Sequence, residues 1–260
     1  MELTLIMVIY NKRLTDTLTF SSIRKWKDVR VILCDNSTRD QGNRILAQEF
    51  GYQYIWMEGN QGLAKAYNRA LDALGPGEGV VCLLDDDTRL PEDYPEKIRL
   101  AHTRNHAKIW LPLVKDQTGY LSPAIVTGYG WKRIARPEEV DVPGVLLTGI
   151  NSGMAVDRKI MQEYRYDERY FLDFIDHAFL RDMRRKNIPM MVLKDIVLQQ
   201  TFSSDVQSKQ AAMERFAHFK EDVKRFYSAS PTARRYGQKI LLRRRCKLCL
   251  KHKTLAFLFA

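Results

Sequence analysis

The sequence predicts an α/β fold built on a mostly parallel, buried sheet. Short apolar runs alternate with stretches of helical periodicity through the first half of the chain, the pattern of repeated βαβ units. Polar turns sit at the carboxyl ends of the apolar runs, where open α/β sheets place their ligands. With 45% hydrophobic residues and 10% aromatics, the 260 residues also carry enough apolar surface for a sizeable core. The same composition excludes a disordered or collagen-like chain, and no repeat of solenoid or propeller period is present.

The first strand is expected at Leu3–Ile9, a continuous apolar run. Helical spacing over Thr15–Trp26 leads to a second strand at Val29–Cys34, and a helix over Asp40–Phe50 to a third at Tyr52–Met57. A helix over Leu63–Leu74, opened by Asn60-Gln61-Gly62 and closed by Gly75-Pro76-Gly77, precedes the strand Gly79–Leu84. Beyond Pro91 the pattern loosens. Ile109–Val114 and Gly144–Leu147 read as strands, Ile175–Lys186 as a helix and Met190–Leu198 as a last apolar run. From Gln207 to Tyr227, Phe216, Phe219, Val223 and Phe226 recur at helical spacing amid charges, which predicts an amphipathic helix. The organisation expected is a catalytic domain over 1–203 and an amphipathic helix with a basic tail over 204–260.

Net charge is +11, but it is concentrated at one end. Residues 234–260 contain nine Lys and Arg and no acid, whereas residues 1–233 are within two charges of neutrality. A nucleic-acid-binding protein would account for the tail and leave the α/β body without a purpose, so no nucleic-acid partner is expected. No apolar run approaches the ~20 residues of a spanning helix. The run Leu3–Tyr10 lacks the basic flank of a signal peptide, so a cytoplasmic location is expected. Cys34 and Cys82 read as core residues, and Cys246 and Cys249 with His252 make at most an incomplete zinc set.

Two acidic groups could carry chemistry. Asp85, Asp86 and Asp87 follow directly on a buried apolar strand, where mutual repulsion favours a neutralising cation, and hard oxygen ligands select Mg²⁺ or Mn²⁺. A solvated acidic turn is the alternative. In Leu172-Asp173-Phe174-Ile175-Asp176-His177, carboxylates lie among aromatic and aliphatic side chains. Asp173 suits an N-cap, and Asp176, one turn on, suits either a base of raised pKa or a structural role.

Together these features resemble glycosyltransferase family 2, the inverting family with the GT-A fold. The resemblance rests on Val8-Ile9-Tyr10-Asn11, Cys34-Asp35-Asn36-Ser37, Asn60-Gln61-Gly62-Leu63-Ala64 leading to Asn68, Asp85-Asp86-Asp87 and Asp176-His177-Ala178-Phe179, in the family's order over roughly residues 3 to 200. The Ser152-Gly153 segment and Leu172–Asp176 resemble the bacterial rhamnosyltransferase branch that builds surface polysaccharides.

The resemblance implies a nucleotide-diphosphate sugar as donor and a glycan or lipid-linked acceptor. It places Tyr10, Asn11, Asp35, Asn60, Gly62, Asn68, Asp85, Asp86, Ser152 and Gly153 around the donor, with Asp35 on the nucleobase. It puts Asp85 and Asp87 on the metal, and makes Asp176 the base with Asp173 its rival. Relatives commonly have a His after the last core strand. This chain has Gln199-Gln200 there, which leaves Gln200 as the substitute metal ligand and raises the alternative of an inactive scaffold. The basic tail, interleaved with Ile240, Leu241, Leu242, Leu248 and Leu250, is expected to meet an anionic membrane surface on the cytoplasmic face, against the alternative that its apolar side packs on the protein.

Overall fold

The alternation of runs folds as a layered α/β unit, seen in a computed structural model that describes residues 1–201 and 208–260. β1 (Glu2–Ile9), β2 (Arg30–Asp35), β3 (Gln53–Trp56) and β4 (Gly79–Leu84) are joined by α1 (Leu18–Ile23), α2 (Asn43–Glu49) and α3 (Leu63–Asp72). All three pairings among these strands are parallel, in spatial order β3-β2-β1-β4. Alternation along β1 explains the layers: Leu3, Leu5, Met7 and Ile9 enter the core on one face, and Ile6 enters the core on the other.

The sheet continues less regularly. After the two-residue β5 (Thr88–Arg89) and α4 (Tyr94–Arg104) come β6 (Ile109–Asp116), β7 (Gly119–Ser122), β8 (Ala124–Thr127), β9 (Gly130–Arg133) and β10 (Leu147–Thr148). Then follow β11 (Met154–Asp157), α5 (Arg158–Glu163), α6 (Ile175–Arg185) and β12 (Met190–Gln200). Here β11 lies antiparallel between β4 and β6, β12 runs parallel to β6, and β8, β9 and β10 form a separate three-stranded sheet. The mostly parallel expectation therefore holds for the first four strands, and the second half is mixed.

The individual elements depart from expectation for local reasons. The helix expected over Thr15–Trp26 is split, because Thr17 is extended and caps α1 by accepting from the Phe20 amide. The strand expected from Gly144 forms only at Leu147, since Gly144 has φ +80°. β7, β8, β9 and β11 are too short to have shown a period.

α7 (Lys209–Phe226) and α8 (Pro231–His252) enclose a third core of Phe216, Val223, Tyr227, Leu241, Leu248 and Phe257. Phe174 and Phe226 pack against both this core and that of the sheet, so the helical pair is joined to the α/β body by aromatic contact. The boundary expected at 203/204 and the helix start expected at Gln207 lie outside the described residues. Cys34 and Cys82 are buried, as expected. Among the described residues no three His, Cys, Asp or Glu gather into a metal set, neither at Cys246, Cys249 and His252 nor at Asp85, Asp86 and Asp87. No helix among those residues is long and apolar enough to cross a membrane.

Candidate active site

Side chains from four separate segments meet around one cavity of about 370 Å³ at the carboxyl ends of the central strands. Asp85 follows β4, Asn151 precedes β11, Asp173 and Asp176 come from the start of α6, and Gln200 ends β12. Thus the two acidic groups 88 positions apart in sequence share one space.

Asp85 accepts a hydrogen bond from the Ser152 hydroxyl. Desolvation pushes its carboxyl up to about 7, and the charges of Asp87, Asp176 and Asp86 add to this. Asp86 turns away to pair with Lys12 at 2.8 Å. Asp87 accepts from the Gln200 amide nitrogen at 3.1 Å and is likewise raised, mainly by desolvation. The Gln200 amide oxygen is buried and has no hydrogen-bond partner among the described residues, and neither has Asn151 Oδ1. Buried oxygens left unpaired beside crowded carboxylates are an acceptor-rich arrangement, which suits a cation better than it suits protein alone.

Asp176 lies in the first turn of α6 and its Oδ1 accepts the backbone N–H of His177 at 2.7 Å. Its side chain keeps 19% of its surface accessible, toward the cavity. Desolvation raises its carboxyl to about 7, and the charge of Asp173 adds to the shift. His177 is held down to about 3 by burial and then by the charge of Arg184, so it stays neutral against the Thr148 hydroxyl, 2.6 Å away, and the Trp131 ring. Asp173 is not the helix cap. Phe174, at φ +65°, occupies that position without a side-chain bond, and Asp173 instead pairs with Arg215 of α7 at 2.6 Å.

Several residues expected around a donor do other work. Asp35 is fully buried, its carboxylate accepting from Asn43, Tyr54 and the Ser37 amide, so it orders the strand end and has no surface left for a nucleobase. Asn68 brackets the backbone of Tyr166 through both ends of its amide. Asn60 binds Asn36 and the Gly62 amide. Gly62, at φ +87°, lets Phe171 approach so closely that a Cβ would lie 2.9 Å from the Phe171 carbonyl oxygen. Gly153, at φ +74°, is similarly closed by Leu198. Tyr10 is exposed at the end of β1, beside Asn11, whose backbone N–H donates to Ser37.

Asp222 was not legible as a site residue. It is completely buried on α7, and its carboxylate accepts the backbone N–H groups of Phe171, Leu172 and Asp173 at 2.8–3.0 Å. A carboxylate on the apolar face marked by Phe219, Val223 and Phe226 was the available signal. Asp222→Ala is expected to cost about 3–5 kcal/mol in urea unfolding, the scale of breaking a buried charged network, whereas Asp222→Asn loses less.

The raised carboxyls give a pH dependence. A native-state pKa above the unfolded value means that the folded protein holds a proton the unfolded chain releases, so the contribution is complete below about 4 and is lost as pH rises toward 7. Asp176→Asn, which cannot ionise, is therefore expected to melt progressively higher than wild type as pH rises from 4 to 7 in EDTA. The gain is at most about 4 kcal/mol above pH 8. Melting curves across that range check it, and a gap independent of pH contradicts it.

Comparison with known proteins bears on this site. The family model described as Glycosyl transferase family 2 matches residues 4–165. The dTDP-rhamnosyl transferase RfbF of Shigella flexneri is 23% identical over 195 residues, covering 74% of this chain and 66% of that protein. S. aureus TarS 1-349 superposes with a TM-score of 0.57 at 17% identity over 89% of this chain and 73% of its own. GalNAc-T7, solved with UDP, GalNAc and Mn²⁺, superposes at 0.64 and 14% identity over 98% of this chain and 55% of its own. The fold is thus the GT-A fold of these glycosyltransferases.

Proposed function

Because the chain belongs to glycosyl transferase family 2, we propose that it is an inverting glycosyltransferase acting in bacterial surface polysaccharide synthesis, moving a sugar from a nucleotide-diphosphate donor to a hydroxyl of a glycan or lipid-linked acceptor. The observation that carries this reading is the meeting of Asp85, Gln200 and Asp176 around one cavity, with Asp176 desolvated and open to it.

Asp176 takes the proton from the attacking acceptor hydroxyl. Its raised pKa makes it a stronger base than an exposed carboxylate, and the His177 amide holds it in place. The exposed Tyr10 and the adjacent Asn11 at the end of β1 are proposed to meet the donor, with Ser152 holding Asp85 and Lys12 holding Asp86 at its edge, and attack on the side opposite its diphosphate inverts the anomeric centre.

The donor set fits Mg²⁺ or Mn²⁺: Asp85 and Asp87 are hard, mutually repelling oxygen ligands, and the unpaired Gln200 oxygen is a neutral third. Bound there, the cation would neutralise the charge that develops on the departing diphosphate. The donor class is supported by relatives: GalNAc-T7 was solved with UDP, TarS 1-349 with UDP-GlcNAc, and RfbF is a dTDP-rhamnosyl transferase. Calorimetry with UDP and dTDP, with and without Mn²⁺, tests the reading. Binding of one of them that needs the metal is expected, and binding of neither contradicts it.

We further propose that the last helix rests on an anionic membrane surface at the cytoplasmic face. Leu241, Leu248 and Phe257 are buried in the C-terminal core, so the packing alternative accounts for part of the tail. Leu250 and Phe259 remain 81% and 88% exposed beside Lys247, Lys251 and Lys253. Apolar side chains flanked by cations suit an interface, each cation adding ~1 kcal/mol on anionic lipid. Leu250→Glu/Phe259→Glu spares the buried residues and is expected to abolish sedimentation with anionic liposomes. Equal pelleting of variant and wild type contradicts the membrane role.

A further inference from the structure

We propose that the cleft between α6 and the turn from α7 to α8 is an anion subsite, in which Arg181, Arg184 and Arg185 hold a phosphate or diphosphate group of the acceptor. This rests on the glycosyl-transfer reading above and adds an acceptor class to it.

The cleft has a volume of about 190 Å³ and is lined by those three arginines together with Tyr129, Trp131 and Phe226. Among its described lining residues none is Asp or Glu. Positions 181, 184 and 185 are spaced i, i+3 and i+4, so the helix gathers the three guanidinium groups on one side. Their compensation within the protein is poor. Asp182 stands 3.9 Å from Arg181 and 3.7 Å from Arg185, and lines a second cavity that it shares with Arg181, where it accepts from the Tyr164 hydroxyl. Arg181 Nε makes no hydrogen bond among the described residues and stands 3.9 Å from the Asp182 carboxylate, while its Nη1 donates to the Phe226 carbonyl and its guanidinium carbon lies 4.6 Å from the Phe226 ring centre. Arg184 donates to the Leu147 carbonyl, and burial with the charges of Arg181 and Arg185 holds it below its ordinary pKa.

Three clustered cations in a cleft whose described lining has no acid call for a multivalent anion, and the planar fork of arginine matches phosphate oxygens in pairs. The volume is below the ~300–1,000 Å³ that encloses a whole small ligand, so it suits one ionic group of a larger molecule. Location supplies the link to catalysis. Trp131 is a wall of both cavities, and His177 lines this one while its neighbour Asp176 lines the other. An acceptor anchored here by its phosphate presents its sugar past Trp131 to the base.

The test uses the full chain and inorganic pyrophosphate in EDTA, read by calorimetry, with wild type, Arg181→Gln/Arg185→Gln, Arg185→Gln and Asp87→Ala. Wild type and Asp87→Ala are expected to bind equally, and the double variant at least about tenfold more weakly, since it loses two charge-assisted donors. Arg185→Gln, whose parent side chain is 66% exposed and leaves the fold untouched, is expected to fall between them. In activity assays an alkyl diphosphate-linked sugar and an alkyl phosphate-linked sugar should show a raised KM in the double variant, with the larger change naming the acceptor group, and an uncharged alkyl glycoside should not. No binding by wild type, or equal binding by wild type and both arginine variants, overturns the subsite. UDP or dTDP binding with Mn²⁺ is measured on the same samples, so failure of the donor reading is seen separately.

Discussion

Asp176→Asn is expected to lower turnover by ~10²-fold or more, the usual scale of general base catalysis, while leaving nucleotide affinity within about twofold of wild type. The asymmetry follows from where the residue sits. Asp176 lines the cavity from the start of α6, and among the described residues its side chain is hydrogen-bonded to the adjacent His177 amide and to no strand end. An amide in its place keeps the size and removes the proton acceptor. Asp173 is the rival carboxylate in the same cavity, but it is engaged by Arg215 at 2.6 Å. Asp173→Asn should therefore act on stability and on the seating of α7 more than on the pH profile. Steady-state kinetics with both variants discriminate: a rate loss confined to Asp173→Asn reverses the assignment.

Asp87→Ala is expected to abolish metal-dependent nucleotide binding, with an effect at least as large as adding EDTA to wild type. The carboxylate has a partner in Gln200 and a backbone carbonyl bonded to Thr201, so its position is set by the end of β12 as well as by the turn after β4. Removing it leaves the Gln200 amide without its acceptor and the cation with one charged ligand fewer. Affinity for Mn²⁺ should also rise with pH toward 7 and above, because the protons held by the raised Asp85 and Asp87 must leave before the metal enters. Calorimetry in two buffers of different ionisation enthalpy reads the released protons directly. Nucleotide binding that is indifferent to both the substitution and the chelator contradicts the metal assignment.

Legibility in the sequence tracked how local each determinant was. The strands from Leu3 to Leu84 are largely apolar runs bounded by polar turns, whereas their order β3-β2-β1-β4 is decided by pairing across the sheet. β11 was invisible because four buried residues carry no period, and its insertion between β4 and β6 is decided by long-range pairing. In the site, Asp85 and Asp176 were readable as carboxylates in apolar settings, and the resemblance drew them together before the fold did. Asp35 misled: a carboxylate at a strand end looks the same whether it faces a ligand or is consumed by Asn43 and Tyr54. Asp222 was missed for the opposite reason, since its partners are backbone amides 49 to 51 residues away. The tail's apolar residues divided between core and surface according to the α7–α8 packing, which their spacing alone did not resolve.

The most direct measurement of the central claim is the anomeric configuration of sugar released from a nucleotide-diphosphate donor in the presence of Mn²⁺, followed by proton NMR before mutarotation with wild type and Asp176→Asn side by side. Wild type should release the sugar with configuration opposite to the donor's, and Asp176→Asn should release it ~10²-fold more slowly. Release with retained configuration, or at an unchanged rate in Asp176→Asn, contradicts inverting transfer with Asp176 as the base.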